Sequence, residues 1–394
     1  LLIIYLTILS LLLYMDTANN IKNNVIDTTK KTLNKMNNNQ IIIIVSILIF
    51  ITIVFGIVYY IYSILRLKGS TGANCTKMGL LYKNFPPIKS LKFSNNQDYD
   101  LRDYYIKTAF NACSPGNFKN DFVNTCALEA CIKQGARCLD FEIYSINDKP
   151  VIATSSQNDF HLKETFNYVS FSDALDIINQ NAFDGNCPNP DDPLILHFRI
   201  NSNNTKIYTE MYNSLKSALQ SKLLGINYSY ENNGENLGKL PIKQFYNKVI
   251  IIVNRDNPLF QKTELDELVN LASGSVFMRQ TRFRDVLYNQ DYNFADFNKR
   301  NMTIVLPDKS SDPVNPNFSM CQKFGCQFIA MAYQNYDANL EFADLFFSEN
   351  NTAFVLKPEN LRFVPVTVDK PAPPPEKYSY KPRPIKSDFY SFTI

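Results

Sequence analysis

The chain has 394 residues, 45% of them hydrophobic, and a formal net charge of +3. That length holds one large domain or two medium ones, and so small a charge points away from a nucleic-acid partner. Only two histidines are present, His161 and His197, so any mechanism that needs a histidine pair must use these two.

Residues 1–14, LLIIYLTILSLLLY, are apolar but short for a full span. They read as upstream read-through before a start at Met15, or as a truncated hydrophobic segment. Without a basic n-region or a small-residue cleavage site they do not read as a signal peptide. The rest of the segment 1–40 is an Asn-, Thr- and Lys-rich arm. Residues 41–65 carry no charge. As a helix they reach about 37 Å, enough to cross a hydrocarbon core of about 30 Å. Tyr59, Tyr60 and Tyr62 form an interfacial belt at one end. Orientation stays open, because Lys30, Lys31 and Lys35 balance Arg66, Lys68 and Lys77. A polar connector follows over 66–98, with Pro86-Pro87 inside it.

From residue 99 to 363, apolar strand-like runs alternate with amphipathic helical ones. Strands are expected over 104–108, 137–144, 150–154, 194–200, 249–253, 275–278, 302–306 and 327–332. Helices are expected over 123–134, 171–182, 206–221 and 262–272. Eight strands with intervening helices match an α/β fold of the (β/α)8 TIM-barrel kind. A doubly wound open sheet is the alternative, but no Gly-rich nucleotide loop supports it. The tail, 364–394, contains PAPPPEKYSYKPRP and reads as an extended surface segment, with a docking strap for a partner protein as the sharper alternative.

None of the eight cysteines forms a CxxC pair, which argues against zinc. Most read as buried thiols, with one disulfide among Cys113, Cys126 and Cys131 as the alternative. The centre of the chain is RCLDFEIYSINDKPVIATSS, residues 137–156. Leu139, Phe141 and Ile143 alternate with Asp140, Glu142 and Tyr144, the period of a strand. Two carboxylates therefore leave one strand face, which is costly on an inward face unless they are paired, hydrogen-bonded or bound to a cation.

These residues carry a resemblance. RCLDFEIY with DKPVI, PLILHFRI, LPIKQFYNKVIII and GCQFIAMAYQNYDANLEFADLFFSENNTAFVLKPENLR follow, in order, motifs of eukaryotic-type phosphoinositide-specific phospholipase C, its X half and its Y half. The resemblance covers about residues 100–362. It implies a phospholipase-C-like barrel, two catalytic histidines and a calcium ion held by Asn, Glu, Asp and Glu. Position by position, Ser-His-Asn becomes Ala109-Phe110-Asn111, and the second histidine falls at Thr154. The carboxylate pair stays as Asp140 and Glu142, and the last metal-ligand Glu falls at Arg199. The inositol-gripping Arg-x-Tyr-Pro falls at Ile304-Val305-Leu306-Pro307. The lysines after the fifth strand give way to a run ending in Asn254 and Arg255.

Neither Phe110 nor Thr154 can move a proton near neutral pH. Arg199 beside Asp140 and Glu142 would repel Ca²⁺, so no cofactor is expected, and Asn111, Asp140 and Glu142 are the ligands if one binds. Some bacterial relatives use an arginine where the metal sits, but they keep both histidines. The expectation is a membrane-anchored, phospholipase-C-like pseudoenzyme that binds or scaffolds, with a polar pocket of Asn111, Asp140, Glu142 and Arg199 and a phospholipid headgroup as ligand. The alternative is a metal-independent phosphoric diester hydrolase in which His161 or His197 supplies protons. Abundant Asn and Ile with an added membrane segment resemble proteins of large DNA viruses, which suggests a virion or host internal membrane.

Overall fold

The computed structural model describes residues 37–92, 99–157, 161–229, 235–288 and 292–365, with 371–372, 375, 378 and 380–394 of the tail. The apolar run 1–14 and nearly all of the polar arm lie outside the described residues. A helix spans Asn38–Leu81. Its stretch Asn38–Ser63, 26 residues, is long and apolar enough to cross a membrane, and Ile42, Phe50 and Phe55 on it are exposed. The expected connector begins as helix, because no proline interrupts the chain before Pro86. Residues up to Lys77 and residues from Met78 onward form two compact units.

The second unit is built on eight strands: β1 Tyr104–Ala109, β2 Cys138–Ile146, β5 Leu194–Ile200, β6 Val249–Asn254, β7 Leu271–Ser273, β8 Met278–Arg282, β9 Met302–Leu306 and β10 Phe328–Met331. Between β2 and β5 lie β3 Lys149–Ile152 and β4 Val169–Ser170. The hydrogen-bonded order is β7-β6-β5-β2-β1-β10-β9-β8, and every pairing along it is parallel. The row nearly closes on itself. Its ends β7 and β8 are consecutive in the chain, and Gly274 and Ser275 both donate their N–H to the Met278 carbonyl. Strands covered on both faces read as continuous apolar runs, as in VIIIVN of β6, all buried.

Helices follow where the pattern has a period near 3.6 and a cap to start it. Asn124 accepts from the Cys126 N–H ahead of Thr125–Lys133, and Ser170 and Asn204 cap Phe171–Asn181 and Thr205–Leu219 in the same way.

Three expectations need correction. Residues 150–154 are not a barrel strand: β3 turns back antiparallel on β2, through Asn147 and Asp148 at positive φ, and β4 pairs with β3. The helix expected over 262–272 is a short 3-10 segment, Glu264–Leu268, followed by β7. The run LVNLAS is apolar enough for either state, and the free edge of β6 captured it as a strand. The strand expected over 275–278 is mostly the turn between β7 and β8, where Gly274 adopts φ 86°. Most cysteines are free buried thiols, as expected, and the alternative of a bridge among Cys113, Cys126 and Cys131 is not formed. Cys113 and Cys131 are free buried thiols, whereas Cys126 is disulfide-bonded elsewhere.

Beyond the barrel, β11 Phe354–Leu356 pairs antiparallel with β1. The tail carries its own hairpin, β12 Pro384–Lys386 with β13 Ser391–Thr393.

Candidate functional site

The register of β2 against β5 creates the site. Asp140 lies opposite His197 and Glu142 opposite Arg199. All four side chains enter the barrel, and all are at least 95% buried. The Arg199 guanidinium is used on every side. Its Nε donates to Asp140 Oδ1 at 2.9 Å, Nη2 to Asp140 Oδ2 at 2.6 Å and to Asn111 Oδ1 at 2.8 Å, and Nη1 to Glu142 Oε1 at 2.6 Å. Its carbon lies 4.8 Å from the centre of the Phe110 ring, a cation–π contact on the remaining face.

Glu142 also accepts from Tyr144 Oη at 2.8 Å, from the Ser155 N–H at 3.0 Å and from Lys309 Nζ at 2.8 Å. Asp140 accepts from the Asn111 N–H at 3.2 Å. His197 bridges the floor, with Nδ1 2.7 Å from Asp140 Oδ1 and Nε2 2.9 Å from Ser273 Oγ.

Burial pushes both carboxyls up, but their cations outweigh it. Arg199, with the His197 hydrogen bond, holds Asp140 well below the usual carboxylate range. Lys309 and then Arg199 bring Glu142 down to about 2. Burial alone would lower Arg199, yet Asp140 and Glu142 raise it above an ordinary guanidinium. Lys309 differs from its partner in direction. Burial and the facing Arg199 and Arg282 leave its ammonium below the ordinary lysine value despite Glu142. Arg282, at the end of β8, is drawn down to about 10 by burial and then by Arg199.

The positions where the resemblance places histidines are filled otherwise. Phe110 packs edge-on against Phe118 at 5.4 Å. Thr154 Oγ1 donates to the Phe118 carbonyl at 3.0 Å. Phe118 thus seals both. The two actual histidines sit in different environments. His197 is fully buried with both ring nitrogens engaged. His161 is exposed at the barrel mouth, where its N–H donates to the Asn201 carbonyl and its ring lies 3.3 Å from Asn203 Nδ2.

Above this floor opens a cavity of about 420 Å³, lined by Arg199, Arg282, Lys309, Asn254, Asp256 and Asp285 among others. It lies at the C-terminal ends of the strands, the end where barrel sites form. Asn254 Nδ2 is buried there without a hydrogen-bond partner.

The structure brings Asn111, Asp140, Glu142 and Arg199 into one hydrogen-bonded cluster, and beside it stand Lys309, Arg282 and Ser273, which sequence reading missed. The first two were findable, since each ends or closely follows a barrel strand, β9 or β8. Ser273 was hidden by the expected helix over its segment. Ile304, Val305 and Leu306 are fully buried in β9.

Comparisons with known proteins point the same way as this geometry. Residues 97–255 match the description "Phosphatidylinositol-specific phospholipase C, X domain", and residues 256–360 match the corresponding Y domain. No curated protein matches the chain. Among solved structures, S. officinalis PLC21 is similar at 20% identity and a TM-score of 0.57, over 70% of this chain and 39% of that one. L. pealei PLC21 is similar at 19% identity and a TM-score of 0.56, over 68% of this chain and 38% of that one. At these identities the two structures support the fold, and this chain matches less than half of their length. With a nearly closed parallel barrel and both halves of the family in order, the chain belongs to the phosphatidylinositol-specific phospholipase C family, with its X domain at residues 97–255 and its Y domain at 256–360.

Proposed function

We propose that the protein is a membrane-associated phospholipase-C-like barrel that binds a phosphorylated polyol headgroup without cleaving it. The observation that carries this reading is the Arg199 clamp. Its guanidinium donates to Asn111, Asp140 and Glu142 at 2.6–2.9 Å, using the oxygens that a calcium ion would need. With Lys309 also on Glu142, two of the chain's own cations stand where a divalent cation would, so the donor set does not fit calcium. Among the described residues, no group of three or more His, Cys, Asp or Glu side chains is arranged for a metal.

Phosphodiester cleavage also needs a group to accept a proton from the attacking oxygen and one to protonate the leaving oxygen. Phe110 and Thr154 provide neither, and His197 is held under the floor. The cavity nevertheless suits a ligand. Arg282, Lys309 and the unpartnered Nδ2 of Asn254 offer donors to a phosphate, while Asp256 and Asp285 offer acceptors to polyol hydroxyls. The apolar helix would hold the barrel at a bilayer, and we propose a virion or host internal membrane on composition alone.

The test is direct. The full chain in mixed micelles with phosphatidylinositol should release no inositol phosphate, with or without calcium. It should bind a soluble inositol phosphate, and Arg282→Gln should weaken that binding about tenfold or more, the scale of one charge-assisted bidentate contact. Turnover abolished by His161→Ala or His197→Ala would instead establish the metal-independent hydrolase.

A further inference from the structure

The tail hairpin is a sheet of its own: among the described strands, β12 and β13 pair only with each other. Their register sets Ile385 opposite Phe392, with Pro384 opposite Thr393 and Lys386 opposite Ser391. Arg383 and Ile394 extend the ladder by exchanging backbone hydrogen bonds. Because successive side chains alternate between faces, Arg383, Ile385, Tyr390, Phe392 and Ile394 share one face. Lys386, Ser391 and Thr393 share the other.

The hairpin is therefore amphipathic, with its apolar face uncovered. Tyr390 is 56% exposed, Phe392 50% and Ile394 60%, and Phe389 at the tip is 95% exposed. Tyr390 and Phe392 lean on each other with ring centres 5.6 Å apart. An isolated two-stranded hairpin is marginal in water, so a face like this calls for something to cover it.

We infer that the hairpin at residues 380–394 is an interfacial element that lays its aromatic face into an anionic bilayer surface. Three observations select lipid over protein. The face mixes Tyr and Phe with Arg383, the composition that settles at headgroup depth. Lys381, Arg383 and Lys386 against Asp388 give the segment a side-chain charge of +2, complementary to anionic lipid. The same chain carries a helix long enough to cross a membrane, so a bilayer is at hand. The inference rests on the membrane association proposed above and adds a second contact to it.

The chain has no tryptophan, so Phe389→Trp installs a unique reporter at the tip. The full-length variant is reconstituted into vesicles of phosphatidylcholine with phosphatidylserine, and co-flotation reports the helix independently of the hairpin. The expected result is blue-shifted emission quenched by brominated lipid. That quenching should weaken in pure phosphatidylcholine, and also near 1 M salt, where the screening length falls to about 3 Å. Adding Tyr390→Asp and Phe392→Asp should abolish the quenching while the barrel's melting temperature stays unchanged. Emission that is quenched by aqueous iodide but not by brominated lipid, in chain that floats, overturns the inference. So does a blue shift without brominated-lipid quenching, which would mean that protein covers the face. Failure to float would overturn the membrane reading and the hairpin's role with it.

Discussion

Arg199→Met removes the one side chain that neutralises Asp140 directly. Methionine fills similar volume without donors, so the change deletes four hydrogen bonds and a buried charge while leaving little cavity. Glu142 keeps Lys309 at 2.8 Å. The Asp140 carboxylate keeps only the Asn111 N–H and His197, while Arg282 gives its Nη1 to the Pro307 carbonyl at 2.7 Å and its other donors face the cavity rather than Asp140. Breaking a buried pair from one side costs about 3–5 kcal/mol, because a charge is left uncompensated. For a barrel of this size that lowers the melting temperature by roughly 6–12 °C.

The pH dependence should change sign. In the native chain Asp140 and Glu142 have depressed folded values, so their contribution is present above the unfolded carboxyl range. It is lost as pH falls through about 4 toward 2. In Arg199→Met, burial dominates Asp140 and raises its folded value. The stability deficit should then shrink as pH falls from 7 toward 4, because protonation relieves the stranded charge. Thermal melts of the full chain in detergent across that range read both effects, and adding Asp140→Asn should recover part of the loss at pH 7. A variant that melts within about 1 °C of the native chain at every pH would show that the clamp is not an internal ion pair of the strength its geometry demands.

Two further outcomes follow from the charged interior. Exchanging the clamp for a carboxylate and withdrawing the second cation, in Arg199→Glu with Lys309→Met, should create a calcium-dependent rise in melting temperature that the native chain lacks. No rise at millimolar calcium would mean that Asn111, Asp140 and Glu142 are not held at ligating geometry. Lys357 is 1% exposed and donates to the Asn298 carbonyl at 2.8 Å and the Gly325 carbonyl at 3.3 Å. Burial draws it down to about 7. The unfolded chain therefore binds the proton that the folded one sheds between about pH 7 and 10.5, and the penalty fades as pH rises. Lys357→Met should be more stable than the native chain at pH 7, with a ceiling of roughly 4 kcal/mol at about 1.36 kcal/mol per pH unit. Denaturant titrations should show that advantage shrinking toward pH 10, and an advantage constant with pH refutes the assignment.

The sequence by itself determined what is local. The alternation through Leu139, Phe141 and Ile143 determined that β2 is a strand and that Asp140 and Glu142 share a face. Runs such as Leu194–Ile200, apolar apart from His197 and Arg199, and Met302–Leu306, apolar apart from Thr303, determined strands, and both were placed with the ends the structure has. The motif order indicated the family, and Phe110, Thr154 and Arg199 could each be assigned to a position in it. Only the tertiary structure decided how the buried charges are paired. That Arg199 grips Asp140 and Glu142 together depends on the register between two strands more than 50 residues apart. Lys309, 167 residues from Glu142, reaches it because a loop after β9 folds over the mouth. The segment around Ser273 became a strand because the edge of β6 offered it hydrogen bonds, an influence that no window of neighbouring residues contains. Local periodicity sets which face a side chain takes, but the partner waiting on that face is set by ring closure of the barrel.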